Sequence, residues 1–347
     1  VLRRMVSTYM ATRQPQYAFG WQGGEPTLMG VDFFRRAVEY QKKYGREGAV
    51  VGNGLQTNAT MIDEEFARFL GRTHFLVGVS LDGPPTIHDR YRITATGGGS
   101  HSLVMKGIEN LRANRAEFNI LTLVSESNVS DPALIYRYLV DRDMLFHQYI
   151  PCVEFDEAGN LLPFAVTPEQ WGEFLCGIFD QWYPGDTRRV SIRLFDSLVT
   201  LLVEGQPNIC HLGRNCCQYF VVEYNGDVYP CDFFVEKPLL VGNVADDSWE
   251  DMQQSPVYRQ FGALKTQWSP VCETCEFLPV CSGDCLKNRG CNDGGDPRQL
   301  SALCEGWKIF YRHTLARFRE LAEEVRRERA EASRAFQART ALGRSRV

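Results

Sequence analysis

Cys272-Glu273-Thr274-Cys275-Glu276-Phe277-Leu278-Pro279-Val280-Cys281-Ser282-Gly283-Asp284-Cys285 sets the reading of this chain. Four thiols fall within fourteen residues, and Cys291 and Cys304 follow. Upstream lies a second group, Cys210, Cys216, Cys217 and Cys231. Crowded thiols oxidise when idle, so a Cys-x2-Cys-x5-Cys-x3-Cys run points to metal or iron–sulfur ligation. Four thiolates suit zinc as well as an iron–sulfur cluster, and the spacing leaves both open.

The bulk sequence narrows the setting. None of the twelve cysteines precedes Cys152, and ten lie between Cys210 and Cys304 inclusive. A secreted disulfide framework is usually small and cysteine-dense throughout. A long cysteine-free half therefore argues for a reducing, cytoplasmic location. The 347 residues allow one large or two smaller domains. The apolar fraction of 44% and charged fraction of 23% are those of a globular protein. A net charge of −5 provides no basic field for nucleic acid. No apolar run reaches the roughly 18 residues of a membrane span, so no membrane partner is expected. The chain opens Val1-Leu-Arg-Arg-Met5, with Leu2, Met5, Val6, Tyr9 and Met10 in helical spacing. A start inside a helix, without an initiator Met, leads us to expect that the native N-terminus is missing, and the lack of a signal peptide carries little weight.

Working back from the thiols, the first half alternates short apolar runs with amphipathic stretches. Strands are expected at Tyr17–Trp21, Val50–Leu55, Phe75–Leu81, Phe118–Val124 and Phe146–Ile150, with helices at Asp32–Tyr44, Asp63–Leu70, His101–Asn114 and Asp131–Arg142. That alternation implies a parallel sheet. A full or partial (β/α) barrel is favoured over a doubly wound sheet, although alternation alone does not separate them. Thr167–Phe179 and Leu194–Glu204 read as bridging helices. Phe220–Tyr229 alternates around Asn225-Gly226, a hairpin signal. One helix is expected over Ser248–Phe261, and another from Glu305 past Arg329, with the Arg-rich end after Ala330 frayed or disordered. The expected domains are a partial barrel over 1–155, a helical bridge over 156–207, a cysteine-rich domain over 208–306, and a C-terminal helix with a basic tail over 307–347.

Polar and glycine motifs sit where strands end, the place where parallel α/β folds collect their chemistry. Gln22-Gly-Gly-Glu-Pro26 lets a ligand approach the backbone and offers the Glu25 carboxylate; an ordinary strand-to-helix turn reads equally well. Gln56-Thr57-Asn58 could bond a ligand's polar edge, but capping chemistry is the simpler account. Arg92 could hold a carboxylate in a forked pair, or form a surface ion pair. His88, His101 and His147 have no partners at metal-binding spacing and read as structural or surface residues. The first motif is not GxGxxG, which argues against a Rossmann nucleotide site.

In this order, the motifs resemble those of the radical S-adenosylmethionine (SAM) enzymes with a C-terminal SPASM domain, and most nearly the anaerobic sulfatase-maturating enzymes. The resemblance is carried by Trp21-Gln-Gly-Gly-Glu-Pro-Thr27, Leu55-Gln-Thr-Asn58, Ser80-Leu-Asp-Gly83 with Ile87-His-Asp-Arg-Tyr-Arg92, Ile150-Pro-Cys-Val-Glu154, Asn225-Gly-Asp-Val-Tyr-Pro-Cys-Asp-Phe233 and the Cys272–Cys285 run. It implies a partial (β/α)6 barrel for a [4Fe–4S] cluster and SAM, and a SPASM domain with two further [4Fe–4S] clusters. One of these would use Cys210, Cys216, Cys231 and Cys285; the other Cys272, Cys275, Cys281 and Cys304. Cys152, Cys176, Cys217 and Cys291 would be left over. SAM would meet Gly23, Gly24, Glu25, Ser80, Arg92 and Val153, with Ser80 at the ribose and Arg92 at the carboxylate. Gln22 would face the substrate peptide, and Asp232 would accept a proton.

The implied reaction oxidises one Cys or Ser in an unfolded sulfatase segment of the form Cys/Ser-x-Pro-x-Arg to Cα-formylglycine. A 5′-deoxyadenosyl radical would take hydrogen from the substrate Cβ, and a reduced flavodoxin or ferredoxin-like protein would supply electrons. The family's radical cluster is held by Cys-x3-Cys-x2-Cys after a first strand. Neither that triplet nor that strand occurs in these 347 residues, so the resemblance implies a chain that begins within or after the first barrel helix. Two other readings stay open: another SPASM-type peptide modifier, and a non-catalytic iron–sulfur protein.

Overall fold

The computed structural model describes residues 1–290 and 295–344. Its first half alternates as the periodicity requires: α1 (Leu2–Ala11), β1 (Gln16–Trp21), α2 (Val31–Tyr44), β2 (Val50–Thr57), α3 (Glu64–Arg72), β3 (Phe75–Ser80), α4 (Pro85–Tyr91), α5 (His101–Ala113), β4 (Glu117–Val124), α6 (Pro132–Val140), β5 (Phe146–Pro151), α7 (Pro168–Trp182), β6 (Ser191–Ile192) and α8 (Arg193–Glu204). Helix α3 starts where an Asp63 carboxylate accepts from the backbone of Phe66, and α6 where Asp131 accepts from Leu134. Five strands were expected. The sixth, β6, is only two residues long, too short to leave a periodic signal, and lies inside the stretch read as a helical bridge.

All neighbouring pairs in this sheet are parallel and the order is β1-β2-β3-β4-β5-β6. A doubly wound sheet reverses its strand order at a switch point; an unbroken sequential order is that of a (β/α) barrel. The register stacks the strand ends on one edge: Trp21 lies opposite Leu55, Thr57 opposite Val79, Ser80 opposite Leu121, and Val124 opposite Pro151. Behind the sheet, Phe34, Phe66, Phe75 and Leu81 are buried in one apolar cluster.

The second half is built of short pieces. An antiparallel sheet joins β7 (Val221–Val222), β8 (Asp227–Tyr229) and β9 (Gly242–Asn243), with the expected hairpin turning at Gly226, whose φ is 96°. Helices α9 (Trp249–Gln254), α10 (Pro256–Leu264), α11 (Pro270–Glu273) and α12 (Leu278–Cys281) follow. The single helix expected over 248–261 is thus two. Pro256 has no N–H to continue the ladder, and Ser255 before it is extended, with ψ 132°. The last helix, α13 (Cys304–Arg344), packs on α7 and α8, burying Trp307, Phe310 and Phe318 against Phe174, Phe179 and Phe195. It does not end at Ala330 as expected: the Ala, Glu and Arg residues there are strong helix formers and carry it to Arg344. No helix among the described residues is long and apolar enough to cross a membrane.

Candidate active site

The edge formed by the strand ends gathers the motifs. After β1 the backbone turns through Gly23 (φ 91°) and Gly24 (φ 53°), values in the left-handed region that strain a side chain, and no atom lies within 4 Å of either Cβ position. Glu25 then reaches back across the edge. Its Oε1 accepts from Thr27 N (3.0 Å), Thr27 Oγ1 (2.6 Å) and Thr57 Oγ1 (2.7 Å), and its Oε2 from Asn58 N (2.8 Å). This corrects the expectation of a free carboxylate at Glu25: it bolts the exits of β1 and β2 together. The open part of the motif is the Gly23-Gly24 backbone. Asn58 takes the capping role, with its Oδ1 accepting from Thr60 N.

At the β3 exit, Ser80 is half-buried and ends the strand. Arg92 does fork on a carboxylate, but that carboxylate is the buried Asp82: Nε donates to Oδ2 (2.5 Å) and Nη2 to Oδ1 (3.2 Å). Asp82 Oδ1 also accepts from Leu123 N (2.9 Å), so one side chain fastens the ends of β3 and β4 and aims the guanidinium. Val153 was expected beside SAM, yet its side chain is part of the buried core, which leaves only its backbone for a ligand. The histidines are structural. His88 joins Asp82 N to Ser100, and His147 joins Met144 O to Tyr149; burial pushes each pKa down to about 4, so both are neutral. His101 bonds Tyr138.

Gln22 and Asp232, 210 residues apart, meet where the cysteine-rich half closes over this edge. Gln22 Nε2 donates to Asp232 Oδ2 at 3.0 Å. The other oxygen, Oδ1, accepts from Tyr219 Oη at 2.8 Å, and that hydroxyl lies 3.6 Å from Cys231 Sγ. Tyr219 was missed in the sequence. The hairpin register would have found it, because Val221 pairs with Tyr229 and two steps outward place Tyr219 opposite Cys231. The halves are also joined by Lys287 Nζ to Glu154 Oε1 (2.6 Å), and by Trp249 Nε1 to Thr8 Oγ1 (2.9 Å) on α1.

The thiols expected as ligands all lie in the cysteine-rich half. Cys272, Cys275, Cys281 and Cys304 all line one pocket, together with Trp307 and Lys308. In the other set, Cys216 and Cys231 pack on the small cluster of Phe234, Phe261 and Leu286. Cys210, the exposed member, is near enough to push up the thiol pKa of both Cys216 and Cys285. Burial is the first cause of the raised thiol pKa values, to about 12 at Cys281 and Cys231 and about 11 at Cys216 and Cys304. Among the described residues, no three metal-ligating side chains close on the point a single ion would occupy. Four thiols lining one pocket match the donor chemistry of a sulfide-bearing cluster. Cys152 is buried, Cys176 and Cys217 are half-buried, and Cys291 lies outside the described residues.

Comparison with known proteins agrees with this geometry. Residues 210–276 match the SPASM family, described as an iron–sulfur cluster-binding domain. The serine-type anaerobic sulfatase-maturating enzyme of Bacteroides thetaiotaomicron is 34% identical over 96% of this chain and 84% of its own length. The cysteine-type enzyme of Clostridium perfringens is 33% identical, over 94% and 89%. The solved structure of native anSMEcpe with bound AdoMet and Cp18Cys peptide superposes with a TM-score of 0.89 at 33% identity, covering 93% of this chain and 91% of that one. Streptococcus suis SuiB shares the fold, at a TM-score of 0.60 and 15% identity over 87% and 69%. An unbroken parallel sheet carrying the motif edge, a thiol-rich domain closed over it, and a third of all positions identical along nearly the whole chain lead to one conclusion: this protein belongs to the anaerobic sulfatase-maturating enzymes, the radical SAM oxidoreductases with a SPASM domain.

Proposed function

We propose that this protein oxidises one Cys or Ser of a sulfatase to Cα-formylglycine, with the target presented as an unfolded Cys/Ser-x-Pro-x-Arg segment. The observation that carries the reading is the 3.0 Å bond between Gln22 and Asp232, which joins the barrel edge to the residue after a cluster thiol. When bound, SAM and the [4Fe–4S] clusters supply the one-electron chemistry that removes hydrogen from an unactivated carbon and carries an electron away.

The chain's own residues supply position and proton transfer. Oxidation of a –CH2–OH or –CH2–SH side chain to the C=O or C=S level removes one hydrogen atom, one proton and one electron. Asp232 is exposed at the edge and accepts that proton at Oδ2, the oxygen that Gln22 presents; Tyr219 holds Oδ1. The thiocarbonyl formed from Cys then hydrolyses. Arg92, aimed by Asp82, presents a guanidinium face to the carboxylate of SAM, and the Gly23-Gly24 backbone and Ser80 take its amino group and ribose. A reduced flavodoxin or ferredoxin-like donor and a cytoplasmic location complete the reading, because exposed clusters and thiolates need reducing surroundings.

The test is Asp232→Asn in anaerobically reconstituted holoenzyme, with a Cys-x-Pro-x-Arg peptide followed by mass spectrometry. Formylglycine formation should fall by about 100-fold or more while iron content and peptide binding hold. A variant that keeps its rate would remove Asp232 from the mechanism. A Ser peptide run in parallel decides which residue the enzyme prefers.

A further inference from the structure

The cysteine-rich half contains two buried cations that the reaction does not use. Lys265 is 0% exposed and Arg289 is 2% exposed. Among the described residues, the Lys265 ammonium bonds only backbone carbonyls: His211 O (2.9 Å), Ser282 O (3.0 Å) and Asp284 O. Arg289 does the same, reaching Gly283 O (2.6 Å), Ser282 O (3.1 Å), Asp284 O (3.2 Å) and Lys265 O (3.2 Å), with Gln267 O and Pro297 O at its other arm. Asp284 is buried nearby, its Oδ2 held by Asn288 Nδ2 (2.9 Å) and Ser301 Oγ (2.7 Å). Two cations and one carboxylate are thus buried in the same region without an ion pair between them among the described residues, and a buried charge without a counter-charge is expensive.

The carbonyls that Lys265 bonds belong to the neighbours of ligands. His211 follows Cys210, Ser282 follows Cys281, and Asp284 precedes Cys285. One ammonium therefore pins two thiol-bearing segments, one carrying Cys210 and the other carrying both Cys281 and Cys285, and so bears on both sets. Carbonyl bonds alone could be met by a neutral donor. A full positive charge at the junction of the ligand loops is what thiolates ask for.

We propose that Lys265, backed by Arg289, is the resident counter-charge of the nest formed by Cys210, Cys216, Cys231 and Cys285, and that its opposition to Asp284 sets how readily the cluster held there accepts an electron. The proposal rests on the cluster assignment and not on the identity of the peptide substrate. Net charge and burial are among the levers that set iron–sulfur potentials.

The experiment is an anaerobic potentiometric titration followed by electron paramagnetic resonance, with iron and sulfide measured on every sample and Cys231→Ala used to identify the signal of this nest. Lys265→Gln keeps amide donors but loses the charge. At a fixed potential it should be about tenfold less reduced, equivalent to about 59 mV for one electron. Asp284→Asn should move the opposite way, and Lys265→Arg should match the wild type. General damage to packing would move all variants in one direction. A fully loaded Lys265→Gln with an unmoved potential overturns the proposal, as does a shift of the same sign in Lys265→Gln and Asp284→Asn. If Lys265→Gln holds no iron, a raised potential in Asp284→Asn with full loading of Lys265→Arg supports the proposal, and an unmoved Asp284→Asn or an empty Lys265→Arg overturns it. Wild-type protein without iron and sulfide would instead sink the cluster assignment itself.

Discussion

In the sheet half, Phe34 packs edge-on or tilted against Phe66 and Phe75, with ring centroids 5.4 and 6.2 Å away, inside a cluster of nineteen buried residues. In the thiol half, the cluster that supports Cys216 and Cys231 has three buried members, Phe234, Phe261 and Leu286, and one of the largest fully buried side chains is a lysine. The first region encloses hydrocarbon between regular elements. The second winds short strands and short helices around polar groups and sulfur. The contrast leads us to expect that the thiol half, whose own apolar clusters are small and whose Phe277, Val280 and Leu303 belong to the larger cluster shared with α7 and α13, leans on its cluster ligands for stability, as small metal-bound domains do.

Removing the iron should produce the largest asymmetry. Anaerobic chelation is expected to open 208–303 to hydrogen exchange and proteolysis while the sheet half stays protected. Equal protection of both halves after complete iron loss would erase the distinction. The reverse perturbation is Phe34→Ala, which should destabilise the sheet half by about 3–5 kcal/mol in urea unfolding and leave iron content near wild type. Iron lost in proportion to that destabilisation would mean that the halves unfold as one unit. Acid should act more gently, through the buried His147 of β5. Burial lowers its pKa to about 4, while the unfolded chain takes the proton near pH 6.5. The unfolded state therefore binds more protons between these values, and stability present at neutral pH is lost as pH falls through that window, by about 3 kcal/mol at most. Urea midpoints at pH 7 and pH 4.5 should show the fall, and His147→Gln should reduce it; an unchanged slope in the variant would clear His147 of the effect.

The same contrast explains what could be read in advance. Apolar period and strand-end glycines give the sheet half most of its elements to within a few residues, because β3 and α3 are long enough to show a period, but they do not reveal the seven-residue α4. Strand β6 has two residues and shows none. The thiol spacing announces metal but says nothing about which cysteines share a site, since Cys304 joins Cys272, Cys275 and Cys281 at one pocket only through a loop path that no local pattern encodes. Gln22 and Asp232 are legible through family likeness; their bond to one another is not, because it depends on how two regions dock. Glu25 was misread for a related reason. An acidic residue after a strand looks available until its neighbours' N–H and O–H groups are placed around it.

Helix α13 opens on Cys304, a wall of the thiol pocket, and within the next few turns Phe310 and Phe318 are buried beside α7 and α8 of the sheet half. No flexible seam separates the two regions at that end. Grafting this cysteine-rich module onto a different barrel, by recombination in a genome or at the bench, would have to carry the helix and its docking face along with it. Sequence exchange between relatives should therefore succeed at the hairpin loops and fail across residue 304.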